Sequence, residues 1–217
     1  MTEKKSLFIY DDKVLFIYDK DNTLEVMAGM AYAIQRQLNP KLSFSEFRTK
    51  NKESHLMLPG MADVIKHTAK LGNNILISGG NPLESSCNEL RSLFLYFKTW
   101  NHKRKPVPFG QAPKPLTKSS PEVAESLRQN FMPKKIIVFG DSEEEYMLAK
   151  NIKADVLFLR APQKDLLDKV KDIPEVYPFQ TAANVMEILN KIFDPNQSRK
   201  KLDLNFMNKL AKKDSRS

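Results

Sequence analysis

Short apolar runs alternate along the chain with longer segments in which apolar side chains recur every three or four residues. Apolar runs of about four to eight residues are typical of buried strands, and the wider spacing is typical of amphipathic helices. The pattern predicts strands at 14–18, 75–78, about 106–109, 135–139 and 155–159. It predicts helices near 25–37, 60–71, 83–98, 121–131, 143–151, 164–171 and 181–193. Strands that alternate with helices predict an α/β fold, with a mostly parallel sheet covered by helices on both faces.

The first predicted strand ends in two aspartates, Asp19 and Asp21, which stand two positions apart. Alternate side chains of an extended chain point to the same side, so we expect both carboxylates to face one crevice. One carboxylate is then suited to attack phosphorus. The other is suited to give a proton to the leaving oxygen and later to take one from water. The same residues also fit an ordinary polar turn after a strand.

Two later segments carry groups that suit a phosphoryl ligand. The second predicted strand ends at Ser78, followed by Gly79 and Gly80. The hydroxyl can donate to a phosphoryl oxygen, and the glycines let backbone N–H groups come close. Lys118 stands directly before the sequence Ser-Ser-Pro-Glu, which is a good helix start. An ammonium group at the start of a helix suits a phosphoryl dianion.

The strand predicted at 135–139 runs into an acidic turn that contains Asp141. The carboxyl ends of parallel strands share one edge of the sheet, where open α/β sheets bind ligands, so we expect Asp141 near Asp19. Carboxylate oxygens are the ligands that Mg²⁺ prefers. The sequence therefore predicts a Mg²⁺ site at this edge.

In this order the four segments resemble the motifs of the haloacid dehalogenase-like superfamily of phosphotransferases, over roughly residues 14–160. The matching residues are Asp19, Asp21 and Thr23 for the first motif, Ser78 for the second, Lys118 for the third, and Gly140 and Asp141 for the fourth. Lys114 before Pro115 is a rival for the third motif, but the helix that should follow is lacking. The resemblance implies a Rossmann-like core with a small helical cap insertion, and Mg²⁺ as the cofactor.

The resemblance also implies a role for each matching residue. Asp19 is the expected nucleophile and a metal ligand. Asp21 is the expected general acid and base, with its backbone carbonyl also on the metal, and Asp141 is the third protein ligand. Lys118 is expected to take part in catalysis. The groups expected to hold the phosphoryl group are Thr23, Ser78, Gly79 and Lys118.

The fourth motif departs from the family pattern, because Glu145 stands where the second aspartate is usual. Its extra methylene group is expected either to let it reach the metal through water or to give it another role. Glu143 fits a charged first helical turn, which the helix dipole favours. For Glu144 and Glu145 a role near the metal stays open, as groups that surround its direct ligands.

Asp21 also narrows the implied reaction. In this superfamily the dehalogenases and phosphonatases lack the second aspartate, so its presence implies phosphate-ester hydrolysis or phosphoryl transfer. The chain has no run of ~20 apolar residues that would span a bilayer, which excludes a transport ATPase. The segment Leu7 to Asp11 repeats Leu15 to Asp19, but only the second copy is followed by Asp-Asn-Thr. We therefore assign the nucleophile to Asp19 and read Asp11 as part of a turn.

The length of 217 residues suits one domain, which we predict at 1–195, with a possible small cap at 24–58. The remaining residues, 196–217, form a basic tail that either docks as a helix or is disordered. The basic N-terminus is not followed by an uninterrupted apolar segment, so we expect a cytoplasmic protein without a signal peptide. The single cysteine, Cys87, is expected to be a buried structural thiol.

The net charge of +9 is concentrated locally, since residues 98–118 hold six lysines and arginines and no acid. Lys103, Arg104 and Lys105 form a basic patch that is suited to a polyanion, and Trp100 beside it is suited to stack on a base. The alternative, which we favour, is a solvated loop with a partly buried tryptophan.

These features predict a Mg²⁺-dependent phosphomonoester hydrolase that works through an aspartyl-phosphate. Its partner is expected to be a phosphorylated substrate, and the small cap suggests an open crevice that suits a phosphoprotein or a nucleic-acid end but also admits a small phosphoester. Two alternatives stay open: a noncatalytic binding protein for an anionic partner, and a polynucleotide end-phosphatase.

Overall fold

The computed structural model describes residues 10–79, 86–102, 105–107, 116–160, 164–170 and 173–193. The strands are β1 (Val14–Asp19), β2 (Glu25–Met27), β3 (His55–Met57), β4 (Asn73–Ile77), β5 (Trp100–His102), β6 (Lys105–Val107), β7 (Lys135–Gly140), β8 (Val156–Arg160) and β9 (Glu175–Phe179). The helices are α1 (Ala28–Leu38), α2 (Phe44–Lys50), α3 (Met61–Thr68), α4 (Asn88–Ser92), α5 (Pro121–Phe131), α6 (Glu143–Ile152), α7 (Lys164–Lys169) and α8 (Ala182–Phe193), and a 3-10 turn covers Phe94–Tyr96.

The main sheet has five parallel strands in the order β4–β1–β7–β8–β9. All six residues of β1 are buried, as expected for an inner strand of a parallel sheet with both faces covered. The register places Asp19 beside Ile77 and Tyr18 beside Phe139. The strands β1, β4 and β7 therefore end at one edge of the sheet, and the predicted α/β fold is confirmed.

Two apolar clusters cover the two faces of the sheet. Alternate residues of β1 contribute to each, with Leu15 and Ile17 in one cluster and Phe16 and Tyr18 in the other, as the two-residue period of a strand requires. On the second face Tyr18 stacks on Phe139, with ring centroids 4.4 Å apart and an interplanar angle of 8°. This packing fixes the strand that carries Asp19 at its end.

The segment at 24–58, predicted as a possible small cap, contains two short strands and two helices. The short strand β2 pairs antiparallel with β3, and α1 and α2 lie between them in the chain. The helix predicted from residue 25 therefore begins at Ala28, because residues 25–27 pair as a strand instead. Of the six methionines and phenylalanines at positions 24–61, three are exposed: Met27, Met30 and Phe44. The other three are core residues: Phe47, Met57 and Met61.

Several other sequence predictions need correction. The strand predicted at about 106–109 is seen at Lys105–Val107, and it pairs with β5 in a separate two-stranded ribbon instead of joining the main sheet. The helix predicted at 83–98 is represented by the short α4 and the 3-10 turn. The edge strand β9 was not predicted, because Pro178 interrupts its apolar pattern. Proline is tolerated in edge strands, where part of the backbone has no partner.

The tryptophan beside the basic patch has no free face. Trp100 is only 2% exposed and packs in the cluster around Leu15 and Ile17, so the idea that it stacks on a base is wrong, and it is more deeply buried than the alternative reading expected. Lys103, Arg104, Lys114, Gly80, the first apolar repeat at 7–9 and the tail at 196–217 lie outside the described residues. In the part of the chain that the structure describes, no helix is long and apolar enough to cross a membrane.

Candidate active site

Asp19 lies at the carboxyl end of β1 and is 2% exposed. Its Oδ1 accepts a hydrogen bond from Lys118 Nζ at 2.7 Å, and its Oδ2 accepts one from Thr23 Oγ1 at 3.2 Å. Both carboxylate oxygens are thus held by donors from other positions in the chain. The structure therefore brings together three of the residues predicted from the first and third motifs.

Lys118 precedes α5 and contacts three carboxylates. Besides Asp19, its Nζ forms an ion pair with Glu145 and lies 3.4 Å from Glu144 Oε2. Burial alone would lower the pKa of Lys118, but the carboxylates of Asp19 and Glu145 outweigh it and raise the pKa above its ordinary value. The side chain therefore stays an ammonium ion throughout the neutral range.

Three carboxylates form a cluster in the site, and two of them, Asp19 and Glu145, pair with Lys118. Asp19, Asp141 and Glu145 each offer one oxygen, and these oxygens all lie within 4.8 Å of one another. Burial, and next the charge of Glu145, raise the pKa of Asp19 to about 7, although Lys118 acts in the opposite direction. Burial and Glu145 also raise the pKa of Asp141. A cluster of hard oxygen donors with more negative than positive charge fits a bound Mg²⁺ ion.

Glu145 reaches this cluster because its side chain folds back over the start of α6. It is 1% exposed, and its Oε2 accepts hydrogen bonds from Ser142 N at 2.9 Å and Ser142 Oγ at 2.7 Å, as one half of a capping box. Its other oxygen faces Lys118. Glu145 is therefore a helix cap and a member of the carboxylate cluster at once. The sequence had left its role open.

The other two acids of this turn lie farther out. Glu143 is exposed and pairs with Lys169 at 3.2 Å across the surface, which fits the predicted charged first turn. The side chain of Glu144 is half exposed, and it contacts the site through Lys118.

Asp21 lies at the surface of the site. Its side chain is 58% exposed, and its Oδ1 is 3.2 Å from Lys20 Nζ. The strand β1 ends at Asp19, and the chain turns at Asn22, which has a positive φ of 59°. That the carboxylates of Asp19 and Asp21 face one crevice stays a prediction. Asp19 is buried, and Asp21 is exposed.

Ser78 and Gly79 follow β4 directly. Since Asp19 pairs with Ile77 in the register, Ser78 lies one residue beyond that pair, and it is fully buried. Gly79 is exposed, and no atom lies within 4 Å of the position that a Cβ would take. Among the described residues, packing therefore does not require glycine at this position.

Comparisons with known proteins identify the fold of the chain. No family model matches the chain, and no curated protein matches it by sequence. Two solved structures are similar: a protein assigned as a beta-phosphoglucomutase from Thermotoga maritima and a haloacid dehalogenase-like hydrolase from Streptococcus pneumoniae. Their TM-scores are 0.54 and 0.53 at 17% and 12% identity, and each match covers 82% of this chain and 99% of the other. The chain has the haloacid dehalogenase-like fold.

One residue at the site edge of this haloacid dehalogenase-like fold was not predicted. Arg160 ends β8 and is 8% exposed; its Nη1 donates to the Asn22 carbonyl at 2.6 Å, and the guanidinium lies 3.9 Å from Met30 Sδ in the cap. Asn22 in turn hydrogen-bonds Asp141 through its side chain. Burial lowers the pKa of Arg160, and the charge of Asp141 opposes that shift. The signal was an arginine at the end of an apolar strand run, at the same edge as the acids.

Proposed function

We propose that this protein is a Mg²⁺-dependent phosphomonoester hydrolase that works through an aspartyl-phosphate on Asp19. The observation that carries the proposal is the Asp19 carboxylate, buried at a strand end between Lys118 and Thr23 with two further carboxylates within 4.8 Å. A buried nucleophile with a fixed cation beside it suits attack on a phosphorus atom whose oxygens carry negative charge.

In the first step an oxygen of Asp19 forms a bond to phosphorus, and the bond from phosphorus to the ester oxygen breaks. Asp21 gives a proton to the departing oxygen, so the product is a neutral alcohol. In the second step Asp21 takes a proton from water, whose oxygen bonds to phosphorus while the bond to Asp19 breaks. Inorganic phosphate leaves, and both aspartates return to their starting states.

The other residues hold the reacting group. Lys118 neutralises charge on the transferring phosphoryl oxygens, and Ser78 and the backbone at Gly79 are proposed to bind the same group. Asp19, Asp141, Glu145 and the Asp21 carbonyl are the oxygens that would hold Mg²⁺. The bound ion would supply positive charge that draws the phosphoryl group toward Asp19 and offsets the charge that develops on it.

Two features of the chain bear on the kind of substrate. The small cap inserted between β1 and α3 and the six cations without an acid in residues 98–118 support a large or polyanionic phosphoester, such as a phosphoprotein or a nucleic-acid end. A noncatalytic protein that holds an anionic partner is the competing function.

A hydrolysis assay on the full-length protein tests the proposal. We expect release of inorganic phosphate from 4-nitrophenyl phosphate in Mg²⁺, loss of activity in EDTA, and recovery when Mg²⁺ is restored. Asp19→Asn should abolish turnover because an amide cannot form the acyl phosphate, and Asp11→Asn, an exposed turn residue, is the matched control with normal activity expected. Turnover that survives in Asp19→Asn would reject the nucleophile. If the wild type has no activity on any phosphoester but binds polyanions, the noncatalytic function is the correct one.

A further inference from the structure

Lys20, the residue between the two aspartates, is a buried lysine. It is 3% exposed, and its Nζ lies 3.2 Å from Asp21 Oδ1 and 3.3 Å from Glu25 Oε1. We propose that Lys20 is a positioning residue that holds the Asp21 carboxylate in place for proton transfer to the leaving group. This inference rests on the proposed hydrolase function.

Glu25 fixes the position of the Lys20 ammonium. The side chain of Glu25 is fully buried, and its Oε2 accepts a hydrogen bond from Cys87 N, at the start of α4, at 2.9 Å. Its Oε1 faces Lys20. The ammonium group therefore pairs with a buried carboxylate that is itself hydrogen-bonded to a distant part of the chain.

A buried ion pair of this kind is weak evidence for stability, because removing two charges from water costs about as much as their attraction returns. Its geometric effect is more specific. Asp21 is more than half exposed, so a buried ammonium group at 3.2 Å restricts a carboxylate whose side chain is otherwise largely open to water. A general acid must lie within hydrogen-bond reach of the oxygen that it protonates, so such a restriction assists that step.

The dependence on leaving group separates positioning of the acid from general damage to the site. A 4-nitrophenolate ion leaves readily without a proton, whereas an alkoxide needs one, so loss of the acid harms alkyl phosphates far more than 4-nitrophenyl phosphate. General acid catalysis is commonly worth about 10²–10⁴-fold in rate. We therefore compare kcat/KM, which reports the step in which the ester oxygen leaves, for 4-nitrophenyl phosphate and for glycerol phosphate.

The variants are Lys20→Met, Lys20→Arg, Asp21→Asn and the double variant Lys20→Met with Asp21→Asn. We expect Lys20→Met to lose about 10- to 100-fold on glycerol phosphate and less than about threefold on 4-nitrophenyl phosphate. Asp21→Asn should show the same selectivity, the double variant should be no worse than Asp21→Asn on glycerol phosphate, and Lys20→Arg should recover part of the loss. Lys13→Met is the control, since Lys13 also neighbours an aspartate, Asp12 at 3.9 Å, but at the surface.

Lys20→Met leaves the buried Glu25 carboxylate without its cation. A second version, Lys20→Met with Glu25→Gln, replaces the ion pair by neutral groups of similar size, and all rates are measured below the unfolding temperature of each variant. Equal losses on both esters in the folded variants, or losses that add to those of Asp21→Asn, would overturn the positioning role while leaving the hydrolase intact. A wild-type protein that hydrolyses neither ester would overturn the hydrolase and the role of Lys20 together.

Discussion

The side chain of Glu145 occupies the space in which any residue other than glycine at position 140 would place its Cβ. A Cβ built on Gly140 would lie 1.9 Å from Glu145 Cγ and 2.2 Å from Glu145 Cβ. The last residue of β7 is therefore small so that the glutamate can fold back onto the start of α6 and face Lys118. Glycine at position 140 is therefore what allows the Glu145 carboxylate to face Lys118.

Gly140→Ala should consequently damage both stability and activity. The clash forces Glu145 away from the cap of α6, and crowding of this kind costs about 1–3 kcal/mol in the free energy of unfolding. We expect hydrolysis to fall more than about tenfold, because a 1.4 kcal/mol loss in the transition state already gives that factor. Urea unfolding and the phosphatase assay measure the two effects.

Gly29→Ala is the control for that variant. Gly29 lies inside α1, and nothing is within 4 Å of its Cβ position, so alanine should leave activity unchanged and stabilise the helix by up to about 1 kcal/mol. Equal behaviour of the two glycine variants would contradict the link between Gly140 and Glu145.

The raised pKa of Asp19 predicts how stability depends on pH in the metal-free protein. The carboxyl titrates at about 7 in the folded chain, mainly because of burial, and at its ordinary value of 3.8 when unfolded. Between these values the folded protein holds a proton that the unfolded chain has released, so the free energy of unfolding falls as pH rises from about 4 to 7. The loss continues through the folded pKa and levels off above it.

This prediction is checked by urea unfolding in EDTA at several pH values. Asp19→Asn should show a flatter profile and be more stable than the wild type at pH 8, with a residual slope from Asp141, whose pKa is also raised. Mg²⁺ should stabilise the wild type at pH 8 more than the variant, since a ligand of the folded state adds stability by mass action. A difference between the two proteins that does not change with pH would refute the buried, protonated carboxyl.

Much of the fold, and the residues at the carboxyl ends of the strands, could be predicted from the sequence because both follow from local patterns. The run at Val14–Asp19 and the run at 136–140 are buried, and strands that are buried on both faces appear in a sequence as continuous apolar runs. Once the strands are parallel, Asp19, Ser78 and Asp141 must lie at one edge. The position of these residues therefore required no knowledge of tertiary contacts.

The remaining features depend on contacts between distant segments. Residues 25–27 read as the start of a helix, yet they form a strand because His55–Met57 pairs with them. Beyond Asp19 the chain leaves the strand and makes a left-handed turn at Asn22, so the position of the Asp21 carboxylate depends on this turn as well as on the strand pattern. Arg160 gave a weak signal, since a cation after an apolar strand is common and its partner, the Asn22 carbonyl, is 138 positions away.

Arg160→Met should lower activity more than its effect on stability explains. The variant removes the donor to the Asn22 carbonyl and the cation near Asp141, so the loop that carries Asp21 loses one of its supports. We expect a loss of about 1–3 kcal/mol in the free energy of unfolding and at least a tenfold fall in kcat/KM. Arg128→Met is the matched control. Arg128 Nη1 also donates to a backbone carbonyl, that of Ile152 at 2.7 Å. Arg128 lies on α5, however, and does not contact the loop that carries Asp21 through this bond. The control should lose comparable stability and keep its activity, and an equal loss of activity in both variants would assign Arg160 a purely structural role.

The basic patch and the catalytic lysine can be separated by the size of the substrate. If Lys103, Arg104 and Lys105 capture a polyanion, changing all three to serine should weaken hydrolysis of a 5′-phosphorylated oligonucleotide and reduce its salt dependence by about 0.7 to 0.9 in the log–log slope per lost phosphate contact. Hydrolysis of 4-nitrophenyl phosphate should hardly change. Lys118→Ala should impair both reactions, because this ammonium contacts Asp19 directly and neutralises the transferring group itself.

A change in net charge alone could weaken binding of any polyanion, so the comparison needs a variant of equal charge. Three other exposed lysines suit this purpose: Lys66, Lys70 and Lys134. Two of them, Lys70 and Lys134, precede β4 and β7, so they lie toward the amino ends of the strands, opposite the site. Changing these three to serine removes the same three charges from a distant surface. If the patch binds substrate, the patch variant should hydrolyse the oligonucleotide more slowly than the wild type at moderate salt, and the control variant should not. At high salt the wild type loses the same contacts, so the patch variant and the wild type should then have similar rates. Equal effects of the two triple variants, or a patch variant that is equally weak on both substrates, would remove the support for a polyanionic substrate and favour a small phosphoester.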